Sequence, residues 1–92
     1  MLMRETPQET VELFGKTVII SALKGAAIDE FYRLIDADMR KAYAYAFHVC
    51  LVYADTKEPV YSTPTEALDA PMCEWNAVRD AWLKVNWPEK NG

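Results

Sequence analysis

Hydrophobic positions in this chain first alternate with polar ones and then recur at helical spacing, and the change falls near residue 21. Val11 and Leu13 alternate with Thr10 and Glu12, Phe14-Gly15 offers a two-residue turn, and Lys16-Thr-Val-Ile-Ile20 is rich in β-branched residues. The pattern predicts a hairpin over residues 9–20, with Val11 opposite Val18, Glu12 opposite Thr17 and Ile19 on the other face. Two isolated strands are marginal in water, so the hairpin must lean on helices or on a neighbouring molecule.

The helical part, residues 21–87, reads as three to four helices, giving a mainly α, small α+β domain. A first helix over about 22–35 has Ser21 as its N-cap and Leu23, Ala27, Phe31 and Leu34 on one face, with Ile28 and Ile35 flanking. Gly25 weakens its first turn and moves the expected start toward Ala26. Asp36 or Asp38 starts a second helix over about 37–53. Asp55 to Tyr61 is a connector broken by Pro59. Thr63, Pro64 and Glu66 then form a helix start, for a short helix over about 64–69. Asp69 can cap a last helix over about 70–86, with Pro71 in its first turn and Pro88 preventing continuation. Residues 1–8 and 88–92 are expected to be a flexible start and tail.

Two stripes stand out on these helices. Trp75, Val78, Trp82 and Val85 are spaced three, four and three, one face of the last helix. Met39, Tyr43, Ala46, Cys50 and Tyr53, widened by Ala42 and Phe47, form the other. Ninety-two residues make one domain with a modest interior, yet 51% are apolar and 12% aromatic. That surplus points to an association module whose apolar surface is covered partly by other chains. The candidate protein-binding residues are Trp75, Trp82, Trp87, Tyr43, Phe47 and Tyr53, with Val18 and Ile20 from the hairpin. Trp87, beside the expected tail, is the most exposed anchor in this reading.

Charge and chemistry narrow the classes. The net charge is −4, and the basic residues are scattered, Arg40-Lys41 being the only adjacent pair, so a nucleic-acid partner is not expected. The longest uncharged run, Ala42 to Ala54, is thirteen residues, short of a membrane span, and the start lacks a signal-peptide pattern. A soluble, intracellular protein is expected. Cys50 and Cys73 read as buried free thiols. His48, the single histidine, lies about 200° around a helix from Cys50 and reads as a part-buried residue bonded to a carbonyl or water. The His and Cys residues lack the paired spacing of a zinc site, and the carboxylates at Asp29-Glu30 and Asp36/Asp38 suit helix starts and solvated faces. Three glycines, Gly15, Gly25 and Gly92, build no phosphate loop. No enzyme, cofactor or metal is expected.

The order of elements carries a resemblance. Thr17-Val-Ile-Ile-Ser-Ala-Leu23 closes the hairpin, followed by Phe31-Tyr-Arg-Leu-Ile35 and the Ala/aromatic helix Ala42-Tyr-Ala-Tyr-Ala-Phe-His-Val-Cys-Leu-Val52. Pro64-Thr-Glu-Ala-Leu68 and Glu74-Trp-Asn-Ala-Val-Arg-Asp-Ala-Trp-Leu-Lys-Val-Asn86 complete it. Over roughly residues 9–87 this layout resembles the small tail assembly chaperones of long, non-contractile-tailed bacteriophages. The resemblance implies a non-catalytic protein of the host cell cytoplasm, absent from the mature virion. It implies self-association and binding to the tape measure protein, which is kept soluble while the tail tube assembles around it. It also implies a longer form, made by a −1 ribosomal frameshift, whose extension recruits the tail tube protein. Glu89-Lys90-Asn91 permits the codons GAA AAA AAC, which contain a slippery A AAA AAC in the required phase, without demanding them. In this reading copies join through the hairpin edge and helical stripes and offer Trp82 and Trp87 to apolar faces of the client. The competing readings are a small virion structural protein of the head–tail connector type and a host-directed protein-binding module.

Overall fold

The computed structural model describes residues 7–87, which form a small α+β fold led by a hairpin. Its elements are β1 (Gln8–Leu13), β2 (Lys16–Ser21), α1 (Ala26–Ala37), α2 (Met39–Cys50), β3 (Leu51–Tyr53), α3 (Pro64–Leu68) and α4 (Met72–Asn86). Expectations for residues 1–6 and 88–92 lie outside the described residues. Gln8, expected in a flexible start, is the first residue of β1, and the Pro7 carbonyl accepts a hydrogen bond from Ala22 N–H at 2.9 Å.

The hairpin has the register its alternation predicts, with Val11 opposite Val18 and Glu12 opposite Thr17. Phe14 and Gly15 both have positive φ, 54° and 78°, the type I′ geometry whose twist matches that of paired strands. A phenylalanine there is unusual, and its side chain stands in solvent.

One boundary changes the fold. The second helix was expected to run to residue 53, but α2 stops at Cys50 and Leu51-Val-Tyr53 becomes β3, pairing antiparallel with β2. Leu51 turns to extended backbone, φ −107° and ψ 126°, and Leu51 and Tyr53 fall opposite Ile20 and Val18. The free edge of β2 offers backbone partners that a fourth helical turn would have left unused. The segment read as a plain connector closes the far side of β3: Tyr53 N–H donates to the Glu58 carbonyl at 2.9 Å, and Val60 N–H to Leu51 at 3.1 Å.

Helix starts follow local chemistry where a capping side chain is available. The Asp38 carboxylate accepts from Arg40 N–H at 3.0 Å and Lys41 N–H at 3.3 Å. The Thr63 hydroxyl accepts from Glu66 N–H at 3.2 Å, with Pro64 in the first turn. Two other expectations are corrected. Ser21 lies in β2, its hydroxyl accepting from Gln8 Nε2, and α1 starts at Ala26 after Gly25, whose φ of 60° suits glycine. Asp69 closes α3 through its own N–H instead of capping α4, which starts at Met72 with Pro71 in the cap position.

The core gathers around Trp82. Its ring lies 5.5 Å from Phe31 of α1, 5.5 Å from Tyr43 and 6.2 Å from Phe47 of α2, and 6.1 Å from Trp87. Ala42, Ala44 and Ala46 are fully buried, and their small side chains let α2 approach its neighbours closely. Of the expected α4 stripe, Val78, Trp82 and Val85 are buried and Trp75 is half-buried. The α2 stripe breaks at both ends: Met39 is exposed and Tyr53 belongs to β3. Replacing Trp82 with Ala removes a side chain shared by three helices. Trp82→Ala is expected to lower unfolding free energy by about 3–5 kcal/mol, read from urea denaturation.

Candidate protein-binding surface

Four of the eight residues expected to bind a partner belong to the core. Val18, Ile20, Phe47 and Trp82 are at most 1% exposed, so the surface role expected for them is corrected. The hairpin turns the face carrying Val18 and Ile20 inward because α4 packs across β1 and β2. The other four are half-buried. Tyr43 packs edge-on against Phe31 and Trp82. Trp75 sits between the Phe47 ring, 5.0 Å away, and the Arg40 guanidinium, 5.1 Å above its own ring. Arg40 is held there by donating to the Leu68 carbonyl at 2.7 Å, an arrangement that desolvates the indole with a cation.

Trp87 opens on a groove. Leu23, Ile28, Phe31, Tyr32, Asn86 and Trp87 line a hollow of about 300 Å³ between the start of α1 and the end of α4. Phe31 is buried, while Ile28 and Tyr32, one turn apart on α1, are 37% and 52% exposed. Asn86 ties the two sides together: its Oδ1 accepts from Leu23 N–H at 2.9 Å, and its Nδ2 donates to the Trp82 carbonyl at 3.1 Å. The groove is therefore pre-shaped by the same contacts that hold α4 to the core. On the outward side of α1, the Glu30 carboxylate accepts from Arg33 Nε at 2.9 Å, and that bond holds Glu30 below the usual carboxylate range.

Sequence reasoning placed Ile28 only as a flank of the core face and did not single out Tyr32. The available signal was their i, i+4 spacing beside Phe31, one residue off the core stripe. Met39, Met72, Val49 and Phe14 are further exposed apolar side chains, distributed over the rest of the surface.

The polar groups that could carry chemistry have structural partners. His48 is part-buried and its Nδ1–H donates to the Tyr61 carbonyl at 2.8 Å, as its place in the sequence suggested. Tyr61 OH donates to Glu74 Oε2 at 2.6 Å, and burial, then that carboxylate, raises the phenol well above its ordinary range. Among the described residues no cluster of three or more His, Cys, Asp or Glu could hold a metal, and no helix is long and apolar enough to cross a membrane. The two cysteines part company. Cys50 is buried, but Cys73, expected to be buried too, is exposed on the first turn of α4. Burial pushes the Cys50 thiol up to about 11, slightly offset by the neighbouring Trp82 indole. That indole N–H has no acceptor in hydrogen-bond geometry, so its influence on the sulfur is a weak electrostatic one.

No protein-family model, curated protein or solved structure matches the chain.

Two measurements follow from the cysteines. A thiol reagent at neutral pH is expected to modify Cys73 at once and Cys50 only on unfolding, countable by mass spectrometry. The ordinary thiol value is 9.0, so above that pH the unfolded chain ionises Cys50 while the folded chain keeps it neutral. Its contribution to stability is present below pH 9 and lost as pH rises toward 11. Urea unfolding should show wild type losing about 2 kcal/mol more than Cys50→Ala between pH 8 and pH 10.5.

Proposed function

We propose that this chain is a non-enzymatic phage tail assembly chaperone. It self-associates, binds apolar helical faces of the tape measure protein and keeps that client soluble while the tail tube forms. The proposed place of action is the host cell cytoplasm, with the protein left out of the finished virion. A longer frameshifted form of the same chain would link it to the tail tube protein. The observation that supports this reading most is the aromatic groove beside Trp87, held open at the surface of a small acidic protein. Its volume of about 300 Å³ suits a few anchoring side chains of a helix, the mode in which residues at i, i+3 and i+4 enter an apolar hollow. Ile28 and Tyr32 supply the rim, Phe31 the floor and Trp87 the far wall. The net charge of −4 keeps a chain with such a surface dispersed. Each contact is small, so holding a long client requires many copies, and tube subunits can then displace them one by one.

Because Trp82 is core, the informative variant changes the groove rim alone. Co-expression with a tape measure fragment is expected to move that fragment into the soluble fraction. Ile28→Ser/Tyr32→Ser should keep the circular dichroism spectrum of wild type while the fragment returns to the pellet. Full rescue by this variant, or no rescue by wild type, overturns the proposal.

A further inference from the structure

The sheet order is β1-β2-β3, and its two edges differ. The outer side of β3 is closed by Glu58 to Val60, whereas among the described residues nothing pairs with the outer side of β1. The two-residue turn makes Leu13 and Lys16 a hydrogen-bonded pair, so Val11 and Glu9 also spend their amides and carbonyls on β2. The Pro7 carbonyl continues the same alternation by accepting from Ala22 N–H. Gln8, Thr10 and Glu12 therefore turn their backbone N–H and C=O groups outward, and all three residues are exposed. Strand edges are commonly blocked by charged side chains, above all lysine, by internal proline or by a bulge. β1 has no lysine, internal proline or bulge, its charges are Glu9 and Glu12 alone, and its register with β2 is unbroken over six residues.

Its side chains suit one occupant. In an antiparallel pairing of β1 with a second β1, centred on Thr10, Thr10 faces Thr10 and each Gln8 faces Glu12 of the other copy. Each Glu9 then faces Val11 of the other copy, and no carboxylate opposes a carboxylate. Thr–Thr and amide–carboxylate pairs are favourable cross-strand neighbours, and Gln8 Nε2, which bonds Ser21 through one hydrogen, has a second to donate. Other two-fold registers are poorer. Centring on Glu9 or Glu12 stacks like charges, centring on Gln8 carries Thr10 and Glu12 past the first residue of the opposite strand, and centring on Val11 drives Gln8 against the Phe14 turn.

We propose that two copies of this chain join β1 to β1, antiparallel about a two-fold axis at Thr10, into one continuous sheet. The pairing closes, with about six backbone hydrogen bonds, the edge of the sheet that the described residues leave open. This deepens, and rests on, the self-association in the function proposed above, naming its surface and register.

The test uses the full chain with Cys73→Ser, leaving buried Cys50 in place. Thr10→Cys, incubated with oxidised glutathione, should become a disulfide-linked dimer, since a hydrogen-bonded pair separates Cα atoms by about 5.5 Å, within disulfide reach. Gln8→Cys alone and Glu12→Cys alone should stay unlinked, their equivalent positions lying about 14 Å apart along the strands. A mixture of those two should give the linked heterodimer. Thr10→Pro removes an outward N–H and leaves the β1–β2 ladder intact, so it should weaken dimerisation about tenfold in sedimentation equilibrium without changing secondary structure. A monomeric wild type, linkage through position 8 or 12 alone as efficient as through 10, or undiminished dimerisation of Thr10→Pro overturns the proposal. Client solubility measured on the same samples separates the two readings. A chain that links at Thr10 and fails to solubilise the client overturns the chaperone reading alone, and a monomer that solubilises it overturns the dimer alone.

Discussion

One buried indole organises this molecule. Trp82 projects from α4 into a space bounded by Phe31, Tyr43 and Phe47, so a single side chain is wanted by three helices at once. Aromatic rings bury on the order of 150–250 Å² each, which makes this cluster the largest apolar contribution a short chain can concentrate at one point. The buried alanines of α2 lie on more than one side of the helix, Ala44 about 200° from Ala42, and their small side chains let α1 and α3 both pack closely on it. The arrangement has a cost, an indole N–H left without an acceptor in the middle of the core.

That commitment decides what the surface carries. Turning Phe31 toward Trp82 rotates Ile28 and Tyr32 outward on α1, and the stacking of Trp87 beside Trp82 brings the end of α4 to face them. Asn86 fastens the junction by accepting from Leu23 N–H, its other bond to the Trp82 carbonyl lying within α4, so the groove is a by-product of core geometry instead of a separately built feature. A substitution at Trp82 would therefore disturb core and groove together, whereas Ile28 and Tyr32 are separable from the fold. The half-buried rings at Tyr43 and Trp75 occupy the intermediate ground, each spending one face on the core.

The sheet answers a different constraint. β2 is satisfied on both sides, β3 is covered by the returning connector, and β1 keeps three outward-facing backbone positions. Groove and edge draw on different forces, apolar burial in the first and directional hydrogen bonding in the second. The proposed client contact and the proposed pairing between copies thus make separate demands on the chain.

Much of the local structure was legible without coordinates. The hairpin register follows from alternation across a two-residue turn, and the start of α3 follows from Thr63; for α2 the sequence offered Asp36 or Asp38, and the structure puts Asp36 inside α1 and caps α2 with Asp38. The α4 stripe was visible too, since its period lies within one contiguous segment. What stayed hidden depends on segments distant in sequence. Leu51-Val-Tyr53 fits a helix or a strand equally well until β2, some thirty residues earlier, supplies the pairing. Periodicity marks a face as apolar without saying what covers it, so Trp82 and Phe47 were as eligible for a partner as for the core. Tyr32 gained its exposure only once Phe31 beside it had been claimed by Trp82. Short-range sterics and hydrogen bonding are written residue by residue, whereas burial is a competition among all the helices for one small interior, and only the assembled molecule decides it.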